Sequence, residues 1–119
     1  MEIETQKADG IGILICQGQL LSNEGTKELR RAVHDLVKIG TTRILLDVTN
    51  VSNVDNIGLG EIVHAYTAVN RTGGFFVLLG PSLRLRNLVN RTQLNTVFTV
   101  FERDQHVAAL AHLKGGSSP

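Results

Sequence analysis

Two unbroken apolar runs constrain this chain more than any other feature: TRILLDVTN at residues 42–50 and FFVLLG at residues 75–80. A strand with one face in water alternates polar and apolar residues. An unbroken run instead suits a strand covered on both faces, as in a parallel sheet. Parallel strands need long crossover connections, usually helical. The segment between the runs meets that need. LGEIVHAYTAVNR at residues 59–71 places Leu59, Ile62, Val63, Tyr66 and Val69 on one stripe at helical spacing.

The flanking segments extend the pattern. EIETQKADG alternates, with Ile3 and Thr5 on one side and Glu2, Glu4 and Gln6 on the other. It reads as an edge strand that ends in a tight turn. IGILICQG sets Ile11, Ile13 and Ile15 against Leu14 and Cys16, a strand covered on both sides. SNEGTKELRRAVHDLVKIG carries Leu29, Val33, Leu36 and Val37 at helical spacing, with Ser22 or Asn23 as its expected cap and Gly40 as its expected end. PSLRLRNLVNRTQ opens with helix-start residues and places Leu85, Leu88 and Val89 inward. NTVFTVF is the next expected strand, and ERDQHVAALAHLK the closing helix, with Val107, Leu110 and Leu113 inward. The order predicts an α/β fold: a mixed, mostly parallel sheet of about five strands with about four helices packed mainly on one side. Residues 1–113 form the single domain, and residues 114–119, ending in GGSSP, the flexible tail.

Charge and composition narrow the function. With 12 Lys+Arg against 11 Asp+Glu, net charge is +1 and no dense basic run exists to attract a nucleic-acid backbone. The polar, acidic start is not a secretory signal, and no run approaches the roughly 18–20 apolar residues of a membrane span. A cytoplasmic domain is expected. The lone Cys16 leaves no internal disulfide and, in a strand, reads as a small buried hydrophobe. His34, His64, His106 and His112 lack metal-ligand spacing, so neither a metal nor a cofactor is expected. No nucleophile, base and acid can be assembled, which argues against an enzyme. Arg84, Arg86 and Arg91 read as a solvated helix face.

SNVDNIGLGEIV at residues 52–63 is the informative stretch. Asp55 or Asn56 is the expected cap of the helix immediately after it. Gly58 and Gly60 weaken a helix by up to ~1 kcal/mol each relative to Ala, so close packing or close approach is expected there. No Gly-Lys-Ser/Thr follows, so the stretch is not a P-loop. Ile57 is expected near solvent. Glu61, His64 and Ala65 are expected on the helix side away from Leu59, Ile62 and Tyr66.

The strand–helix order, GQLLSNEGTKELRRAVHDLVKIG, RILLDVTNVSNVDNIGLGEIV and GPSLRLRNLVNRTQLNTVFTVFERDQHVAAL together resemble the STAS domain family over nearly the whole chain. The resemblance implies a protein–protein interaction module of the anti-sigma factor antagonist kind, acting by partner switching on an anti-sigma factor or related serine kinase. It also implies an alternative, a subunit that binds the ATPase of an ABC-type lipid transport system, or a ligand-binding sensor or scaffold. Family members commonly read Asp-Ser-Ser/Thr-Gly-Leu-Gly, and a kinase phosphorylates a hydroxyl just after the Asp. Here Asn56 and Ile57 stand in those places, and neither accepts phosphate. The binding surface therefore carries over and the phosphoswitch does not. The implied partner contacts are Asp55, Asn56, Ile57, Gly58, Glu61 and His64. Ser22, Thr49 and Ser52, expected in loops at the same end of the sheet, are candidate substitute phosphosites. A homodimer is left open.

Overall fold

In the computed structural model, which describes residues 1–115, β1 (Glu2–Ala8) and β2 (Ile11–Leu20) form an antiparallel hairpin with Ala8 opposite Ile11. The connecting Asp9 and Gly10 both take positive φ, 54° and 78°. That turn geometry matches the right-handed twist of the strands it joins. Then α1 (Thr26–Lys38) crosses to β3 (Arg43–Val54), α2 (Asn56–Asn70) to β4 (Phe75–Leu79), and α3 (Leu83–Arg91) to β5 (Thr99–Phe101); α4 (His106–Gly115) closes the chain order. The spatial order is β1-β2-β3-β4-β5, and all pairs after the hairpin are parallel.

Crossovers of one hand that always step to the next strand leave their helices on one face. α1, α2 and α3 obey. Leu29, Val33, Leu59, Ile62, Leu85 and Val89 pack with Leu14, Ile44, Leu46 and Leu78. α4 delivers no further strand and covers the other face, where Ala109 and Leu113 pack with Ile11, Leu45, Val77 and Leu79. Adjacent residues Leu45 and Leu46 thus enter opposite cores, and both are 0% exposed. This is the α/β arrangement expected from the sequence. Tyr66 meets Phe76 and Phe98 edge-on at 6.2 and 5.8 Å, closing the core between α2 and the approach to β5.

Several local expectations are corrected. Ser22 and Asn23 do not cap α1. They occupy a tight turn in which Leu21 and Glu24 exchange backbone hydrogen bonds, and Gly25 is the N-cap without side-chain help. β3 runs on through Val54, so Thr49 and Ser52 lie in a strand rather than a loop. The strand expected at NTVFTVF shrinks to Thr99–Phe101, because Leu94–Thr96 form a short 3-10 turn that drops Phe98 into the core. Val107 is 81% exposed; Ala109 takes its place inward, since a further 3-10 turn at Arg103–Gln105 shifts the phase of α4. Lys114 and Gly115 belong to α4 rather than to a tail, and Lys114 pairs with Asp9 at 2.9 Å. The rest of the expected tail, 116–119, lies outside the described residues. Among those described, no helix is long and apolar enough to cross a membrane.

Candidate functional site

The candidate site forms where β3 gives way to α2. Against β2, the β3 register slips twice, between Ile15 and Gln17 and between Gly18 and Gln19, so β3 holds one extra residue at each place. Such bulges bend a strand and re-aim the chain beyond them. The first residue beyond β3 is Asp55, the N-cap of α2. Its Oδ1 accepts from the Gly58 amide at 2.7 Å, and its Oδ2 accepts from the Ser22 amide at 2.9 Å. Its own amide donates to the Leu20 carbonyl at 3.3 Å. One residue thus ties the helix start to the turn after β2.

The amide donated by Gly58, then that of Ser22, stabilises the Asp55 carboxylate and lowers its pKa from the ordinary 3.8. A depressed folded pKa means this stabilisation is complete above the unfolded pKa and is lost as pH falls through the folded one. Asp55→Ala is therefore expected to lower stability by about 1 kcal/mol at pH 7, a usual cost for losing a cap. Urea unfolding across pH should show the gap between the two proteins closing as pH drops below 3.8, the ordinary value.

Asn56, Ile57 and Gly58 lie within the first turn of α2, not in a loop ahead of it. The two glycines differ. A Cβ on Gly58 would overlap the Leu20 carbonyl oxygen, whereas one on Gly60 meets nothing within 4 Å. Gly58 is the contact that lets α2 sit against the end of β2. Above it, Asn56 is exposed and Ile57 is 60% exposed.

Glu61 and Ala65 do not stand on an outward face. They are 5% and 2% exposed because α1 packs across them. The Glu61 carboxylate accepts from Arg30 Nη2 at 2.8 Å and Nε at 3.2 Å, a bidentate pair. His64 is exposed and lines the cleft between α1 and α2. The six expected contacts therefore separate. Asp55, Asn56, Ile57 and Gly58 share the helix start, Glu61 turns to α1, and His64 lies at the margin.

Of the candidate phosphosites, Ser22 is exposed in its turn beside Asp55. The Ser52 hydroxyl, on β3, donates to the Gly18 carbonyl at 3.2 Å. Thr49, also on β3, is half-buried against Gly80.

Arg30, the partner of Glu61, escaped the sequence reading, because nothing local links positions 31 residues apart. Leu83 also escaped it: this residue is 74% exposed in the first turn of α3, at the same end of the sheet as Ile57. Arg84 and Arg86 do more than face solvent. Arg84 donates to Asn53 at 3.0 Å, and Arg86 pairs with Glu102. Cys16 is 1% exposed. Burial, then the charge of Asp47, pushes its thiol up to about 12, so it stays protonated.

Known proteins resemble this chain in sequence and in fold. A Thermotoga neapolitana protein provisionally named an anti-sigma factor antagonist is 26% identical over 91 residues, covering 76% of this chain and 80% of its own. An anti-sigma factor antagonist from Mycobacterium paratuberculosis superposes with a TM-score of 0.82 at 16% identity, covering 95% of this chain and 93% of its own. The unphosphorylated form of the anti-sigma factor antagonist SpoIIAA gives 0.72 at 14% identity, covering 92% and 98%. These structures share the fold. The STAS domain model matches residues 2–106, and with that span of the sequence accounted for, the chain belongs to the STAS domain family.

Proposed function

We propose that this chain is a protein–protein interaction module of the anti-sigma factor antagonist type, docking on an anti-sigma factor or a related serine kinase. Asn56 and Ile57 make the contact, Asp55 and Gly58 hold them in place, and His64 lies at the edge. The role is non-enzymatic. No phosphate is accepted at the usual position, so docking is governed by the partner's availability rather than by modification of this chain.

The observation that carries this reading is the exposed first turn of α2. Asn56 and Ile57 project into solvent from a backbone fixed by the two hydrogen bonds to Asp55. A rigid, partly apolar turn loses little conformational freedom on binding. The names carried by the similar proteins support the same class of partner.

Incubation with the cognate kinase and ATP tests the proposal. The native chain is expected to take up no phosphate and to stay bound to its partner. Asn56→Ser is expected to be phosphorylated at that position and then released, because a phosphate brings about −1.5 to −2 charges into the contact. Phosphate on Ser22, Thr49 or Ser52 of the native chain, with loss of binding, would refute unmodified docking. Co-purification with an ABC-type ATPase instead of a kinase would move the chain to the transport reading.

A further inference from the structure

A second surface lies apart from the first turn of α2. Helices α1 and α2 run parallel, and the Arg30–Glu61 pair ties them side by side. Midway along, the cleft between them offers no apolar floor, because Val33 and Ala65 are each 2% exposed within the core. Its accessible rim is polar: Lys27, Arg30, Arg31 and His34 stand on α1 and His64 on α2, all exposed. Lys27, Arg31, His34 and Lys38 recur at helical spacing and make one exposed row along α1. At 1.5 Å per residue the row is about 16 Å long.

The row is available. Lys27, Arg31 and Lys38 make no ion pair or side-chain hydrogen bond among the described residues. Arg30, with its side chain 64% exposed, spends one edge of its guanidinium on Glu61 and keeps Nη1 free of any hydrogen bond to the described residues. His34 and His64 each offer an N–H to an anion in either protonation state. Glu61 is the one carboxylate lining the cleft, and it is already paired. The other acids of α1, Glu28 and Asp35, stand on its β1 side with Ile3 and Thr5. Positive charge is thus confined to a narrow strip with an acidic flank.

From this strip we propose that the α1–α2 face binds an extended acidic segment of a partner protein. Alternate side chains of an extended chain lie on one side, about 6.6 Å apart. The rise from Lys27 to Arg31, or from His34 to Lys38, is about 6 Å. Carboxylates at alternate positions therefore reach successive members of the row, and Arg30 and Arg31 suit them because a guanidinium grips a carboxylate through two parallel bonds. A phosphate or nucleotide would call for cations converging on one point, and here they are strung out. A docked helix would call for apolar pockets at its anchor positions, and Val33 and Ala65 are sealed. A nucleic-acid duplex or a membrane is broader than the strip and would meet Glu28 and Asp35.

The probe is a peptide of about twelve residues alternating Glu and Ser, long enough to overrun the row. The same peptide with Gln in place of Glu is the neutral control. Both are titrated into the full chain and followed by calorimetry and amide NMR shifts. The Glu peptide is expected to bind at least tenfold more tightly than the Gln peptide, with shifts gathered at residues 27–38 and 61–68. Raising salt from about 0.02 to about 0.2 M should weaken it at least tenfold, as screening of exposed charges implies. The double variant Arg31→Gln/Lys38→Gln should lose about tenfold at an unchanged melting temperature, and His34→Ala/His64→Ala about threefold. Equal binding of the two peptides, indifference to salt, full affinity in Arg31→Gln/Lys38→Gln, or shifts outside this face would overturn the proposal. So would tighter binding to inorganic phosphate, duplex DNA or anionic vesicles than to the Glu peptide. The proposal is independent of partner docking at Ile57, and Ile57→Asp should leave the affinity for the Glu peptide unchanged within about twofold.

Discussion

Gly58→Ala is expected to lower the unfolding free energy by about 3 kcal/mol, the upper end of what overpacking usually costs. Alanine would otherwise help, since it favours a helix by up to ~1 kcal/mol over glycine. The added methyl, however, lands on the Leu20 carbonyl oxygen. Backbone cannot rotate away as a side chain can. Either α2 lifts off the end of β2 or β2 yields, and both loosen the hydrogen bond from the Asp55 amide to Leu20. For a domain whose total stability is about 5–15 kcal/mol, such a loss is visible in a single denaturant titration. The matched control is Gly60→Ala, where the new Cβ meets open space. That variant should gain up to ~1 kcal/mol. Equal effects of the two substitutions would show that the α2–β2 approach does not control stability.

Ile57→Asp is expected to weaken partner binding by about thirtyfold or more while leaving the fold intact. Ile57 is 60% exposed, so little burial is lost within the chain. A carboxylate in the first turn of a helix is favoured by about 0.3–1 kcal/mol through the helix dipole, so thermal stability should hold or rise. A central apolar anchor, by contrast, commonly carries about 2 kcal/mol or more of an interface. Binding to the purified anti-sigma factor or kinase, measured beside a melting curve, separates the two effects. Retained affinity would remove Ile57 from the contact and with it the proposed docking face.

The strands and helices were legible where one periodicity held. The edge strand at Glu2–Ala8 alternates, the central runs do not, and the helical stripes through Leu29 and Val33 or Leu59 and Ile62 are regular. β3 continues to Val54, past the expected TRILLDVTN run, for a physical reason. Val48, Val51 and Val54 are all buried, at a spacing of three. That spacing belongs neither to a regular strand nor to a helix. It arises because two bulges each insert a residue, turning a period of two into three and keeping one face inward. Val107 failed likewise. Its inward phase assumed one continuous helix, and the 3-10 turn before α4 rotates the stripe onto Ala109.

The site divides in the same way. Local chemistry sufficed to narrow the cap to Asp55 or Asn56, because a capping side chain and the helix amide it accepts from lie within one turn. The structure selects Asp55, whose second oxygen is held by the distant Ser22 amide. Local chemistry also sufficed to exclude phosphate at Asn56 and Ile57, since hydroxyl content is a property of the residue alone. The distinction between Gly58 and Gly60 needed tertiary structure, because the obstacle to a Cβ is a carbonyl 38 residues earlier in the chain. The inward turn of Glu61 likewise depends on α1 and on the register that brings Arg30 beside it. Periodicity determined which stretches became strands and helices and where their order led. Which exposed-looking residues were covered was decided only when the crossovers laid α1 against α2, because burial is set by the neighbour across the gap and not by the residue's own segment.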